Sequence, residues 1–122
     1  MRVAIPRRKY CYPDLVVDCG TPELAAFDTL LNPTLVIEIL SKSTESFDLG
    51  RKADMYRSIP SLKGYLVIEQ VRAGAKRYVR QTDLKWVLEE LLGLDSILTL
   101  ESVHCEIPLR ELYLRVELDP KA

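Results

Sequence analysis

The sequence predicts an α/β fold in which helices flank a central mixed β-sheet. Three runs of β-branched and aliphatic residues have the length and composition of buried strands, and they cover residues 12–19, 34–40 and 64–70. A predicted helix joins the second run to the third, which favours a parallel pair, and a predicted hairpin farther along the chain is antiparallel. The predicted sheet is therefore mixed.

A helix is predicted between the second and third strands. Over residues 46–58 the side chains of Leu49, Ala53 and Tyr56 recur at helical spacing, and Pro60 ends the pattern. A helical crossover of this kind is the connection that a parallel pair of strands requires. We expect the strands around residues 37 and 66 to be parallel neighbours.

The second half of the chain predicts an antiparallel hairpin at the edge of the sheet. Polar and apolar residues alternate over 77–80 and 84–88, and Gln81-Thr82-Asp83 separates the two runs. Residues 88–92 are also compatible with a helix. Apolar residues at helical spacing over 108–116 predict a closing helix.

The first third of the chain predicts less regular structure. Residues 2–5 fit a short edge strand that Pro6 ends, because proline cannot donate a hydrogen bond to the ladder. Residues 20–33 contain Thr21-Pro22 and Asn32-Pro33 and predict a connecting loop with at most a helical turn.

Length and composition predict one soluble domain over residues 1–122. The chain is 48% hydrophobic and 29% charged, and no apolar stretch is long enough to cross a membrane, so we expect a cytoplasmic protein without membrane contact. The three cysteines lack metal-ligand spacing and are expected to be reduced. A net charge of -1 counts against tight, sequence-independent binding of nucleic acid.

Two carboxylates interrupt the predicted strands. Asp14 and Glu38 each lie in an apolar run, where an ionised carboxylate is costly to desolvate unless a cation or strong hydrogen bonds compensate it. Strand alternation places Glu38 on one face of the sheet with Val36 and Leu40. If the two strands are neighbours in register, Asp14 and Glu38 converge on one Mg²⁺, and Lys52 on the following helix is the nearest cation.

Other interpretations of these residues remain open at this point. Asp14 could cap the end of a strand, and Glu38 could form a buried salt bridge with Lys52 or Arg51. Asp48, Lys52 and Tyr56 follow one helix face and could be an ordinary helix salt bridge above a half-buried tyrosine. His104 is expected on the surface, and Tyr65 and Trp86 are expected to be packing residues.

The combined motifs are more specific than any one of them. The chain closely resembles the Uma-two family of restriction-endonuclease-like proteins, within the PD-(D/E)XK nuclease superfamily, over these segments: Pro13-Asp14, Glu38-Ile39-Leu40-Ser41-Lys42-Ser43-Thr44, Asp48-Leu49-Gly50-Arg51-Lys52 with Tyr56, and Gly64-Tyr65-Leu66-Val67-Ile68. The resemblance implies a single domain with a restriction-endonuclease-like core. It also implies hydrolysis of DNA phosphodiester bonds that depends on Mg²⁺, with Mn²⁺ as a possible substitute.

The resemblance also implies roles for individual residues. Asp14 and Glu38 would be the catalytic metal ligands. The superfamily lysine normally lies two residues after the second acid, where this chain has Leu40. In some members the lysine has moved to the next helix, so Lys52 takes that role, with Ser41, Asp48 and Tyr56 in support.

Relatives in this family usually carry an N-terminal extension before the Pro-Asp strand, and this sequence has only 12 residues there. An apolar face left uncovered without it predicts a homodimer or a partner chain. The alternative to the nuclease is therefore a truncated, non-catalytic module that acts by homo-oligomerisation or protein binding.

Overall fold

A computed structural model of the chain describes residues 2–6, 10–25, 29–40 and 46–114. Within these ranges the chain forms strands, two α-helices and one 3₁₀ turn at Glu101–Val103. In chain order the strands and helices are β1 (Arg2–Ala4), β2 (Tyr10–Cys11), β3 (Leu15–Val17), β4 (Leu24–Ala25), β5 (Thr29–Leu30), β6 (Leu35–Leu40), α1 (Ser46–Arg57), β7 (Gly64–Glu69), β8 (Gly74–Thr82), β9 (Lys85–Leu92), β10 (Ile97–Leu100), β11 (Cys105–Pro108) and α2 (Leu109–Leu112).

The central sheet is mixed, as predicted. Its five strands lie in the order β3-β6-β7-β8-β9. β6 and β7 are parallel, with Glu38 opposite Val67, and the other three pairs are antiparallel. α1 connects the two parallel strands, which confirms the helical crossover expected from residues 46–58.

Each face of this sheet is covered by a different layer. On the first face, Val36 and Tyr65 pack with Tyr56 of α1 and with Val3, which belongs to a second sheet of order β2-β1-β5-β4. On the opposite face, Leu35 and Leu66 pack against the β10–β11 hairpin and α2. Strand alternation at β6 separates the two clusters, and it places Glu38 on the α1 face.

The predicted edge hairpin is confirmed as β8 and β9, and β9 is the outermost strand of the central sheet. The helical alternative for residues 88–92 is wrong. These residues continue β9, where Leu91 lies opposite Ala75 and is buried in the second core cluster. The apolar side chains of this segment therefore fit strand periodicity.

Two expectations for the first third of the chain are wrong. β1 is not an edge strand, because β2 and β5 pair with its two sides. Residues 20–33 contain β4 and β5, which form an antiparallel pair in place of a helical turn. The Asn32 side chain accepts from the Glu23 N–H and donates to the Thr21 carbonyl, which holds this connection closed.

The end of the described chain also differs from expectation. The closing helix α2 covers four residues, and Val116 lies outside the described part. The β10–β11 hairpin was not predicted. Neither of the helices in the described ranges could span a lipid bilayer. The single-domain organisation and the cytoplasmic location stay predictions.

Candidate active site

Glu38 occupies the middle of the site. It lies in β6 and is buried, with 8% of the residue exposed. Both carboxylate oxygens accept a hydrogen bond from a phenol: Tyr56 Oη donates to Oε1 and Tyr65 Oη donates to Oε2, each at 2.9 Å. Hydrogen bonds to an ionised group are stronger than neutral ones, so the two phenols offset part of the desolvation cost. They also fix the orientation of the carboxylate.

Lys52 brings a cation to the same carboxylate. Its Nζ lies 3.5 Å from Glu38 Oε2, and it comes from α1 one turn before Tyr56. The Lys52 side chain is 49% exposed, whereas that of Glu38 is 11% exposed. The ammonium group therefore lies between a buried carboxylate and solvent, where it can meet an incoming anion.

Asp14 lies just before β3, the strand that pairs with β6 of Glu38. Its Oδ2 accepts a hydrogen bond from the Ile39 N–H at 2.7 Å. Leu15 pairs with Ile37 in the antiparallel β3–β6 ladder, and one further step along this register puts Asp14 opposite Glu38. The strands are thus neighbours in the register that the convergence of the two acids requires.

The surroundings of Asp14 differ from expectation. The run around it was predicted to be a buried strand, but β3 has only three residues, Asp14 lies just before it, and Leu15 is exposed. Asp14 is itself exposed because β3 is the other outermost strand of the sheet. Its carboxylate can therefore be approached from solvent.

Tyr65 is a site residue that the sequence did not reveal. It was expected to be a packing residue, and its ring does pack, with its centroid 4.9 Å from that of Tyr56 and 5.6 Å from that of Tyr78. Its hydroxyl also binds Glu38, because the parallel register places Tyr65 opposite Val36 on the α1 face. Two facts in the sequence could have indicated this role: Tyr65 lies in a predicted buried strand, and a buried hydroxyl needs a hydrogen-bond partner. Tyr56 is fully buried and not half-buried as expected.

The two residues to which the resemblance gives further supporting roles, besides Tyr56, lie wholly or partly outside the described part of the chain. Ser41 lies outside the described residues, and Asp48 lies in α1 with its side chain outside the described part. Glu69, at the end of β7, forms a salt bridge with Arg72. His104 is exposed at the end of the 3₁₀ turn, as expected.

Burial raises the pKa of both site tyrosines above the ordinary value of 10.0, and the negative charge of Glu38 raises it further. Both phenols therefore stay protonated throughout the physiological range. They act as hydrogen-bond donors to Glu38 and cannot serve as general bases.

The donor set fits a hard divalent cation. Two carboxylates from neighbouring strands provide the oxygen ligands that Mg²⁺ prefers, and Mg²⁺ commonly takes one or two carboxylates together with water. Over residues 2–6, 10–25, 29–40 and 46–114 there is no cluster of three or more His, Cys, Asp or Glu side chains suited to a metal. This set suits Mg²⁺ better than Zn²⁺, which favours several nitrogen or sulfur ligands.

A separate concavity is lined partly by residues of the opposite face of the sheet. It has a volume of about 410 Å³, and its lining includes Leu35, Arg77, Thr99 and Leu100. Leu35 and Glu38 point to opposite faces of β6. The acid and lysine cluster is therefore separate from this cavity.

Comparison with known proteins identifies the family. The model of the family described as "Uma2: Putative restriction endonuclease" matches residues 1–110. The chain belongs to the Uma2 family. This confirms the resemblance seen in the sequence.

Relatives and a solved structure agree with this assignment. Two uncharacterized proteins of Synechocystis sp. PCC 6803 are similar to this Uma2 chain: sll1609 is 37% identical over 86 residues, and slr1290 is 31% identical over 81 residues. These matches cover 69% and 66% of this chain but 49% and 43% of the relatives, so the chain spans about half of their length.

The crystal structure of a putative nuclease belonging to DUF820 from Anabaena variabilis superposes with a TM-score of 0.71. The sequence identity is 14%, and the match covers 93% of this chain and 64% of the other. This likeness establishes the restriction-endonuclease-like α/β fold of the Uma2 chain.

The raised tyrosine pKa values predict that stability falls at alkaline pH. The unfolded chain loses the Tyr56 and Tyr65 protons near pH 10, whereas the folded chain keeps them. The two phenols thus make their full contribution to the free energy of unfolding below pH 10, and this contribution is lost as the pH rises above 10. The free energy of unfolding should fall by about 1.4 kcal/mol per pH unit for each tyrosine.

Urea unfolding between neutral pH and about pH 11 measures this slope. Tyr65→Phe is the matched control, because it keeps the ring and should remove one tyrosine's share of the slope. An equal slope in wild type and Tyr65→Phe would contradict the assignment.

Proposed function

We propose that this Uma2 chain is the core of a Mg²⁺-dependent endonuclease that hydrolyses DNA phosphodiester bonds. Asp14 and Glu38 are the metal ligands, and Lys52 stabilises the phosphate or orients the attacking water. The observation that carries the proposal is the 3.5 Å approach of Lys52 Nζ to Glu38 Oε2, on the strand next to Asp14. This ion pair and the register between β3 and β6 support a common site for the two acids and the lysine.

The family supports the reaction class. The Uma2 model is described as "Putative restriction endonuclease", and the Anabaena protein of the same fold is described as a "putative nuclease". Because the chain spans about half of its curated relatives, the activity of the full-length relatives is itself part of the proposal.

Hydrogen bonds prepare Glu38 to be a ligand. Tyr56 and Tyr65 each occupy one lone pair of a different oxygen, and a carboxylate oxygen has two. Oε1 thus keeps acceptor capacity in a fixed orientation, whereas Oε2 also faces Lys52 Nζ. Phenols that hold a ligating carboxylate have the role of outer-shell partners, which commonly affect metal affinity by about 10- to 100-fold.

Asp14 is prepared in a similar way. The Ile39 N–H holds Oδ2, which leaves Oδ1 to bind a ligand from the solvent side. Because Ile39 follows Glu38 directly, one peptide unit links the positions of both acids. A bound Mg²⁺ would supply Lewis-acid polarisation of the phosphate and lower the pKa of water.

Lys52 acts on the substrate side of the carboxylates. Its half-exposed ammonium group is a preorganised positive charge, which stabilises charge that develops on phosphate oxygens in the transition state. Glu38 holds this ammonium group in place before the substrate arrives. Arg51, the exposed neighbour of Lys52 in α1, adds positive charge on the same element.

The substrate is DNA in this proposal, and its binding is weak. The 17 Lys and Arg residues are balanced by 18 Asp and Glu residues, so the chain has no net positive charge to attract phosphates. A small number of phosphate contacts gives a shallow dependence of affinity on salt concentration. Turnover therefore depends more on the metal and Lys52 than on tight binding.

Glu38→Gln is expected to abolish metal binding and cleavage. The amide keeps the size of the side chain but removes the charge that a hard cation requires. Calorimetry with Mg²⁺ and Mn²⁺ measures binding, and nicking of supercoiled plasmid measures cleavage. Glu106→Gln, at an exposed residue of β11, is the matched control and should behave as wild type.

Two results would contradict this expectation. If wild type binds neither metal, the chain is the non-catalytic module that the sequence left as the alternative. If Glu38→Gln binds and cuts as wild type does, Glu38 is not a ligand.

Lys52→Met should separate metal binding from chemistry. Loss of a nearby positive charge leaves metal affinity unchanged or higher, because the ammonium group repels a cation. The rate of cleavage at saturating metal should fall on the order of 100-fold, the usual effect of removing one preorganised electrostatic group. Lys63→Met, at an exposed lysine outside α1, is the control. Equal rates in wild type and Lys52→Met would rule out the role of Lys52.

A further inference from the structure

The outer edge of the central sheet is formed by a long strand with an unusual surface. β9 has eight residues, and no described strand pairs with its outer side. Val87, Leu88 and Leu92 are exposed on it by 39%, 54% and 54%, and Leu84 at the hairpin tip is exposed by 97%. An edge strand that is long and apolar is a template for pairing with another chain.

The charges of β9 lie at only a few positions. Lys85 begins the strand, and Glu89 and Glu90 follow in its second half. Alternate side chains of a strand point to the same face, and Leu91 packs in the cluster that contains α2. The face covered by α2 therefore also carries Lys85, Val87 and Glu89. Trp86 and Leu88 are on the α1 face, where Trp86 packs against the first core cluster.

We propose that β9 pairs antiparallel with β9 of a second copy of this chain, about a twofold axis at Val87. The two five-stranded sheets then form one continuous sheet. In this register Lys85 of each copy lies opposite Glu89 of the second copy. Val87 faces its own symmetry mate, and Trp86 lies opposite Leu88 of the second copy.

Symmetry and charge together select this register. A twofold axis normal to the sheet maps each face onto the same face of the second copy. Each residue of β9 therefore lies opposite a residue whose side chain points to the same face. An axis at Leu88 would put Trp86 opposite Glu90, and an axis at Glu89 would put that carboxylate opposite itself. Cross-strand pairs of opposite charge stabilise a sheet, whereas like charges opposite each other destabilise it. Of these registers, only the axis at Val87 gives two ion pairs and, across Lys85–Glu89, matches apolar side chains with one another.

The self-complementary charges provide a stringent test. Lys85→Glu places two glutamates opposite each other in the homodimer, and Glu89→Lys places two lysines opposite each other. Each single variant should therefore dimerise at least about tenfold more weakly than wild type. A mixture of the two variants restores both opposite-charge pairs and should form a heterodimer.

Sedimentation equilibrium and light scattering measure the masses against the 14.0 kDa monomer. Wild type and the mixture should be dimeric, and each variant alone should shift toward monomer. Leu88→Lys should also disrupt the dimer, whereas Leu24→Lys, at an exposed leucine of β4 in the other sheet, should leave it intact. Circular dichroism and urea midpoints establish that every variant is folded. Since Glu89 also pairs with Arg77 within the chain, Lys85→Glu provides the cleaner single variant.

Three results would overturn the proposal: a monomeric wild type up to its solubility limit, a wild-type dimer that the β9 variants leave unchanged, or a mixture that stays monomeric. The metal and nicking assays above are independent of these measurements. A failed dimer therefore leaves the proposed nuclease function untouched.

Discussion

The burial of one carboxylate, that of Glu38, constrains the rest of this site. Removal of an ionised carboxylate from water carries an effective penalty of several kcal/mol in a folded protein. Two buried phenols and one lysine offset this penalty, and each hydrogen bond to a charged group contributes about 1.5–3 kcal/mol. Because these partners come from β7 and α1, Glu38 can be buried only if the sheet and the helix are assembled correctly.

The parallel connection between β6 and β7 explains how the site is assembled. A crossover helix must pack on one face of the sheet, and here α1 covers the face toward which Glu38 points. Lys52 and Tyr56 lie one turn apart on α1, so both reach the same carboxylate. A lysine can therefore serve this carboxylate from the helix, although Leu40 occupies the strand position usual in the superfamily.

Sequence reasoning predicted those parts of the site that depend on local periodicity. Alternation in β6 put Glu38 and Val36 on one face, and helical spacing put Lys52 and Tyr56 together. Tyr65 was missed because its role depends on the register between two parallel strands. Sequence patterns do not reveal which single residues of the two strands lie opposite each other. The prediction that Asp14 lies in a buried strand was wrong because the composition of a strand does not reveal that β3 is short and lies at the edge of the sheet. β4, β5 and the β10–β11 hairpin were missed because they are short and depend on long-range contacts: β5 pairs with β1, and the hairpin packs in one cluster with Leu35 and Leu66 of the central sheet.

The most direct test of the central claim is a crystal structure of the chain grown or soaked with Mn²⁺, with anomalous scattering recorded near the manganese edge. The expected result is an anomalous peak in contact with carboxylate oxygens of both Asp14 and Glu38, at about 2.0–2.3 Å, with Lys52 nearby and both phenols still bound to Glu38. A well-diffracting crystal with no peak at these carboxylates, or with its peak at another site, would contradict it.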